Sequence, residues 1–336
     1  MSKHAVILYT IGSPDTLTPA CTRDFLNRFL SDKLVVKLPR FLWQPILQTM
    51  ILRSRPARLV DRYQKIFVDG KNPYLADMEL LCSKLKAYLE NLPQPPKDND
   101  ELASDPSSEY IVVPAYAYTG EGLSAIAENF LNHGINKITV IPLFPQYSDT
   151  TSKRPRLELL DLKNTNPQAN LSIVHSYPTN DIYIKAVAQM AKSHLEDERT
   201  HLLITYHSLP QSYITMGDPY VNETSATTNA IVKELGLPKE RYSVAFQSKM
   251  GPMPWLKPYL EDHVDDIQAK GVNKLVVLAP GFSTDCLETL YDLDINLKEQ
   301  FLNHGGESFT YVPCLNATDE QVKLMADLLL NHATKL

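Results

Sequence analysis

Eight short apolar runs, none of them alternating with polar residues, constrain the fold of this chain most. The first half holds AVILYTIG (Ala5–Gly12), YIVVPAYAY (Tyr110–Tyr118), KITVIPLF (Lys137–Phe144) and LSIVHSYP (Leu171–Pro178). The second half holds HLLITYHS (His201–Ser208), RYSVAFQS (Arg241–Ser248), KLVVLAPGFS (Lys274–Ser283) and SFTYVPCL (Ser308–Leu315). A strand with one wet face alternates apolar and polar residues, whereas unbroken Val, Ile and Leu mark parallel strands covered by helices on both faces. The segments between the runs read as helical. Strand–helix alternation of this kind predicts a doubly wound sheet, here formed twice. The expected fold is α/β, with two similar Rossmann-like lobes, each a four-stranded parallel sheet flanked by helices.

An internal echo supports two lobes. FLNHGINKITVIPLF from Phe130 and FLNHGGESFTYVPCL from Phe301 share a helix end, a glycine stop and a strand. The glycine after the histidine is a candidate left-handed helix cap. The expected limits are 1–165 for the first lobe and 166–336 for the second, with the last helix packing back on the first. The Pro- and Asp-rich stretch NLPQPPKDNDELASDPSSE (Asn91–Glu109) reads as a long surface connection.

Composition narrows the function classes. With 336 residues, 43% of them hydrophobic, the chain can bury a core in each lobe. A net charge of −6 argues against nucleic acid as partner, because phosphate binding needs clustered Lys and Arg. Cys21, Cys82, Cys286 and Cys314 form no CxxC pair, which fits a reducing compartment and gives no zinc or iron–sulfur framework. The N-terminus MSKHAVILYTIG lacks a signal-peptide core, and no run approaches the ~18 apolar residues of a spanning helix. The expected location is the cytoplasm.

Two polar sites stand at the ends of second-half runs. In LLITYHSLPQSY (Leu202–Tyr213) a strand runs into His207 and is broken by Ser-Leu-Pro. Ligands of open α/β sheets bind at the carboxyl ends of strands, so His207 is either a loop-capping histidine or a group placed for chemistry. In PGFSTDCLETLYDLDINL, from Pro280, a helix is expected to start near Thr284 or Asp285, either of which can cap it. Glu288, Asp292 and Asn296 are spaced by four on that helix and share a face. That face is either solvated or a set of oxygen ligands and proton acceptors. Because His207 and Glu288 both follow strands of one lobe, they are expected to emerge at the same end of one sheet. Histidine with carboxylate suits proton removal near neutral pH and transient coordination of a borderline divalent ion such as iron(II).

Apolar groups surround them in sequence. QSKMGPMPWLKPY supplies Trp255, PLFPQYSDTT supplies Phe144 and Tyr147, and KLPRFLWQPILQTMILRSRPARLVDRYQKI supplies Trp43 and Met50 among several arginines. Apolar lining with a few convergent polar groups is the usual make-up of a small-molecule site.

These residues resemble one family, the ferrochelatases, from about Ala5 to Leu330. The resemblance is carried by IGSPDT, FLSDKLVVKLPRFLWQPIL, PLFPQYSDTT, YHSLPQSYITMGDPY, AFQSKMGPMPWLKPY, APGFSTDCLETLYDLDI and YVPCLNAT, in that order. It implies the class II chelatase fold with a porphyrin cleft between the lobes. It also implies insertion of Fe2+ into protoporphyrin IX with release of two protons, the last step of protoheme synthesis, without an organic cofactor. His207 matches the histidine that takes pyrrole protons or meets the metal, Glu288 the acid across from it, and Asp292 the continuation of an acidic path. Tyr63, Tyr118, Trp255 and Phe282 match aromatic positions lining the macrocycle, and Arg55 a basic position near the propionates. The stretch 41–52, within an apolar lip at 34–55, resembles the family's membrane-facing lip; read from its residues alone it is equally a short core helix. The resemblance thus implies peripheral contact with the inner membrane and hand-over of porphyrin from the preceding heme-pathway enzyme.

The chain departs from the family pattern at five places. Ala117 replaces an arginine, Asn72 a serine, Phe144 a tyrosine, Thr10 an asparagine and Asn296 an acid. The cysteine-rich tail that holds a [2Fe–2S] cluster in some relatives is missing, so no cluster is expected. Rival readings are a coproporphyrin III ferrochelatase, a cobalt chelatase of precorrin-like rings and a non-catalytic porphyrin or heme binder. A dinucleotide enzyme is disfavoured, since YTGEGLSAIA (Tyr118–Ala127) lacks the full glycine fingerprint.

Overall fold

A computed structural model describes residues 3–92 and 109–336. The chain divides into two compact units. The first comprises Met1–Phe144, Asp149–Ser176 and Ala317–Leu336, and the second Pro145–Ser148 with Tyr177–Asn316. Most of the stretch expected as a surface connection, 93–108, lies outside the described residues.

The first unit is built on a sheet of order β2-β1-β3-β4-β9. Its parallel strands are β1 (Lys3–Thr10), β2 (Glu109–Tyr116), β3 (Lys137–Pro142) and β4 (Asn170–Val174). Every residue of β1 from His4 to Thr10 is buried, as a strand covered on both faces must be. Ile7 and Val140 pack in one core with Leu123, Ala127 and Leu159 from the covering helices. Two features differ from the sequence expectation. The pairing of β4 with β3 draws residues past 165 into this unit. A fifth strand, β9 (Ala333–Lys335), adds antiparallel to β4, because the chain end returns to the open edge of the sheet.

The second unit has the order β6-β5-β7-β8, all parallel: β5 (Thr200–His207), β6 (Tyr242–Gln247), β7 (Lys274–Leu278) and β8 (Ser308–Tyr311). Its core gathers Leu203, Leu260, Val264, Val277, Leu293 and Phe301. With β6 on one side of β5 and β7 on the other, the strand order reverses at β5 and β7. That reversal is the switch point where such sheets open a crevice at their carboxyl ends.

The repeated FLNHG segments end their helices alike. The amide of Ile135 reaches the Phe130 carbonyl at 2.9 Å, and that of Gly306 reaches Phe301 at 3.0 Å. Gly134 and Gly305 take φ of 77° and 94°, the left-handed conformation that glycine adopts without a Cβ clash.

Pro145–Ser148, expected in the first lobe, belongs to the second unit because its polar groups bond there. The Gln146 amide donates to Thr227 Oγ1 at 2.9 Å, the Tyr147 backbone N–H to Glu223 Oε2 at 2.6 Å, and the Ser148 hydroxyl to Asp218 Oδ2 at 2.9 Å. Among the described residues no helix is long and apolar enough to cross a membrane.

Candidate active site

His207 is the last residue of β5 and half-buried. Its Nδ1 lies 2.8 Å from the Ser208 carbonyl oxygen. A carbonyl only accepts, so Nδ1 is a donor, and in the neutral ring it is Nε2 that offers a lone pair to a proton or a metal ion. The Ser208 N–H donates to the Gln247 carbonyl at 2.8 Å, which carries the β5–β6 ladder one residue past the histidine.

Glu288 follows β7 on a π-helix, Leu287–Leu297. This corrects the expected start and type of helix. The cap is Cys286, whose side chain accepts from the Thr289 backbone N–H while Thr289 Oγ1 accepts from the Cys286 N–H at 2.9 Å. Asp285 does not cap, because its buried carboxylate is taken up elsewhere. It accepts from Tyr311 Oη at 2.6 Å, Asn316 Nδ2 at 2.8 Å, Thr289 Oγ1 at 2.9 Å and the Cys314 N–H at 3.3 Å. In a π-helix the hydrogen bonds run from i to i+5, so a spacing of four falls just inside one turn. Glu288 and Asp292 are half-buried on this helix and Asn296 is exposed. Burial first, and then the Glu288 carboxylate, push the Cys286 thiol well above its ordinary pKa.

One side chain fixes how these pieces meet. Gln247, on β6, donates from Nε2 to the Glu288 carbonyl at 3.0 Å. Gln247 stands opposite His207 in the β5–β6 ladder, so this bond draws the first turn of the π-helix towards the carboxyl end of β5. Glu288 is therefore brought to the tip that carries His207. Among the described residues no three His, Cys, Asp or Glu side chains converge to hold a metal.

The other expected site residues divide between the two units. In the second, Trp255 is buried and its indole Nε1 finds no partner among the described residues. Its loop is pinned behind His207, where Pro210 pairs with Trp255 and the Leu256 N–H donates to the Leu209 carbonyl at 2.9 Å. Phe282 is half-buried against the second core, and Tyr147 is half-buried. In the first unit Tyr63 is buried and Arg55 half-buried on the helix Leu52–Ile66. Burial, then Arg58 and Arg62, depress the Arg55 guanidinium pKa. Met50 is 65% exposed, as are Phe41 at 77%, Leu42 at 53% and Ile46 at 42%, while Trp43 and Leu47 are buried. The stretch is thus not a simple core helix: one face packs and the other leaves four large apolar side chains in the open.

Tyr118 is buried and gives its hydroxyl to Asp32 Oδ2 at 2.6 Å. Burial, then the hydrogen bond and charge of Asp32, raise its pKa. Arg154 binds the same oxygen and lies 5.4 Å from the Tyr118 ring centroid, so a guanidinium sits beside this tyrosine although position 117 is alanine. Phe144 and Ala117 pack against the first core.

Sequence reasoning does not single out Gln247, Asp285 as a network centre, or Ser248. Ser248 follows Gln247 with φ of 67° and a buried hydroxyl that finds no partner among the described residues. The signal for Gln247 was available: it is the polar tip of RYSVAFQS, as His207 is of HLLITYHS.

The Ferrochelatase family model matches residues 3–333. The chain belongs to the ferrochelatase family. It is 34% identical over 334 residues to a ferrochelatase of Haemophilus influenzae, covering 99% of both chains. It is 36% identical over 335 residues to that of Edwardsiella ictaluri, covering 97% of each. A coproporphyrin III ferrochelatase of Streptococcus mutans is 34% identical over 333 residues, with 97% and 98% covered. Among solved structures, the sirohydrochlorin chelatase SirB of Bacillus subtilis subspecies spizizenii, in complex with cobalt, superposes with a TM-score of 0.52 at 12% identity, covering 97% of this chain and 93% of that one. The likeness establishes the class II chelatase fold. The protein is accordingly a metal–porphyrin chelatase, a lyase of heme biosynthesis that inserts iron into a porphyrin.

Proposed function

We propose that the porphyrin is protoporphyrin IX and the product protoheme, with His207, Glu288 and Asp292 doing the chemistry. The observation that carries this reading is the His207 ring, bonded through Nδ1 at a strand tip, while Gln247, its ladder neighbour, holds the backbone of Glu288. A porphyrin must lose two N–H protons as the ion enters. His207 Nε2 accepts a pyrrole proton or meets the incoming Fe2+, and Glu288 offers carboxylate oxygens beside it. Asp292, one π-turn on, continues the acidic path for protons or for a partly dehydrated ion. Within the unit that carries His207, Tyr147, Trp255 and Phe282 supply apolar contact to the macrocycle; the resemblance adds Arg55 as a cation for its propionates. Apolar binding remote from the metal supports bending of the ring towards a metal-accepting shape. The exposed Phe41, Leu42, Ile46 and Met50 suit contact with a membrane surface, from which an apolar porphyrin would arrive.

A second reading, coproporphyrin III as substrate, is favoured by the S. mutans relative. Two further propionates would call for a more basic site than Arg55 alone provides. The test is anaerobic metal insertion followed by absorbance, with Fe2+ and Zn2+ offered to each porphyrin and His207→Ala alongside. Turnover of protoporphyrin that collapses in the variant is the expected result. Turnover of coproporphyrin alone selects the second reading, and porphyrin binding without metallation overturns both.

A further inference from the structure

Gln247 occupies an unusual position for an amide. It is only 1% exposed, and its side chain bridges two different elements. Nε2 donates to the Glu288 carbonyl at 3.0 Å, and Oε1 accepts from Thr205 Oγ1 at 3.2 Å. The two partners fix which way the amide points: a carbonyl can only accept, so the NH2 group must face Glu288. Thr205 is fully buried on β5, two residues before His207, and so shares its face of the sheet. Gln247 also stands directly opposite His207 in the parallel ladder. Its own main chain has little freedom, since its carbonyl holds the Ser208 N–H and the next residue turns into the left-handed region.

We propose that Gln247 is a positioning residue for the insertion reaction, one that sets the distance between His207 and Glu288. The proposal rests on the roles given to those two residues above. The strand spacing of about 4.8 Å places the Gln247 backbone against His207, and the side chain then spans the remaining gap to the π-helix. The cap ties Thr289 to Cys286 and Asp285, whereas the Gln247 amide is what ties this first turn to β6, next to His207. Without it, the turn could shift relative to His207 as the ion binds and leaves. With the Glu288 carbonyl held by a buried amide, that shift would break a hydrogen bond away from water, which is costly. The Glu288 backbone is thus held at a fixed place relative to the tip of β5. The shift of a reacting group by about 1 Å can cost about 100-fold in rate, which is the scale of effect that such a brace controls.

The test uses the full chain and four variants: Gln247→Met, Thr205→Val, Glu288→Gln, and Gln247→Met combined with Glu288→Gln. Methionine keeps the length of glutamine and removes both hydrogen bonds. Anaerobic insertion gives kcat and KM, and thermal melting reports folding. Gln247→Met should lower kcat about 10- to 100-fold while the porphyrin KM stays within about twofold. Thr205→Val should lower kcat in the same direction by a smaller factor. With Glu288 already replaced, the further loss from Gln247→Met should shrink to about twofold or less, because residues acting through one another are not additive. The proposal is overturned if Gln247→Met lowers only the melting temperature, or if its penalty on kcat is equal in both backgrounds. Full activity of Glu288→Gln would remove the role of Glu288 itself, a result distinguishable from failure of the brace alone. If Gln247→Met does not fold, an unchanged kcat in Thr205→Val overturns the proposal.

Discussion

The Tyr311 hydroxyl donates to Asp285 Oδ1 across 2.6 Å, which ties the end of β8 to the residue that precedes the π-helix cap. The same carboxylate receives Thr289, in the first turn of that helix, and Asn316, in the loop beyond β8. Both carboxylate oxygens accept hydrogen bonds, and the residue is 4% exposed. Asp285→Asn would turn an accepting oxygen into a donor that faces other donors. It should destabilise the protein by about 1–3 kcal/mol, and should also depress kcat by loosening the start of the π-helix. Tyr311→Phe removes one of the bonds to Asp285 together with the 3.4 Å contact to Cys314 Sγ, and should cost about 1 kcal/mol with kcat nearly unchanged. Urea unfolding and metal insertion on the two variants check both halves. Equal effects on kcat would show that Asp285 does nothing beyond holding Tyr311.

Thr10 and Asn72 are departures from the family pattern 62 positions apart, yet the structure joins them. Tyr74 Oη donates to Thr10 Oγ1 at 2.8 Å, while Asn72 accepts from the Tyr74 N–H at 3.2 Å and donates to Ser13 Oγ at 2.7 Å. Thr10, Tyr74, Asn72 and Ser13 thus form one buried hydrogen-bonded cluster. Asn72→Ser keeps a helix-capping oxygen but strands Ser13, and Thr10→Asn overfills a buried site, so each should cost about 1 kcal/mol. Both residues bond to Tyr74, so the double variant should lose less than the sum, with a coupling of at least about 0.5 kcal/mol in urea titrations. Strict additivity would refute the coupling.

The strands and the tip position of His207 were legible because both-face burial writes itself as unbroken Val, Ile and Leu. The π-helix was not. Glu288, Asp292 and Asn296 repeat every four residues whether hydrogen bonds run to i+4 or to i+5, so the spacing predicts a shared face and leaves the winding open. Asp285 looked like a cap because Asp caps helices on average, and only the folded chain shows four other donors reaching it first. Strand β9 is short and mostly exposed, so it carries no burial pattern to read. The Tyr118–Asp32–Arg154 cluster joins positions 86 and 122 residues from Asp32, a separation that no local pattern reports.

Two buried histidines set an acid limit on stability. Burial, followed by Lys137, lowers the His4 pKa to about 3; burial, followed by His263, lowers that of His201 to about 4. In the unfolded chain both titrate near 6.5. Below pH ~6.5 the unfolded chain therefore takes up protons that the native chain refuses. The histidines leave stability untouched above that pH, and it falls as the pH drops towards about 4 and then about 3. The slope should reach at most about 1.4 kcal/mol per pH unit for each histidine. His201→Asn should flatten the loss between pH 6.5 and 4, measured by urea midpoints at half-unit intervals. An unchanged slope would mean that other groups dominate the acid limb.

The apolar face at 41–50 yields a prediction that separates surface contact from folding. Phe41 and Met50 are mostly in solvent, whereas Trp43 on the same stretch is buried and gives its indole N–H to the Leu30 carbonyl at 2.7 Å. Replacing exposed apolar groups with serine removes surface that would otherwise enter an acyl boundary, worth roughly 1–3 kcal/mol per side chain if it inserts. Phe41→Ser combined with Leu42→Ser should weaken sedimentation with phospholipid vesicles at least about tenfold, with the melting temperature and the insertion of Zn2+ into detergent-dispersed porphyrin unchanged. Trp43→Ala should do the reverse, lowering the melting temperature by opening the packed face and stranding the Leu30 carbonyl. If the serine pair binds vesicles as tightly as the parent, the exposed face has another occupant, and delivery of porphyrin from a membrane loses its physical basis.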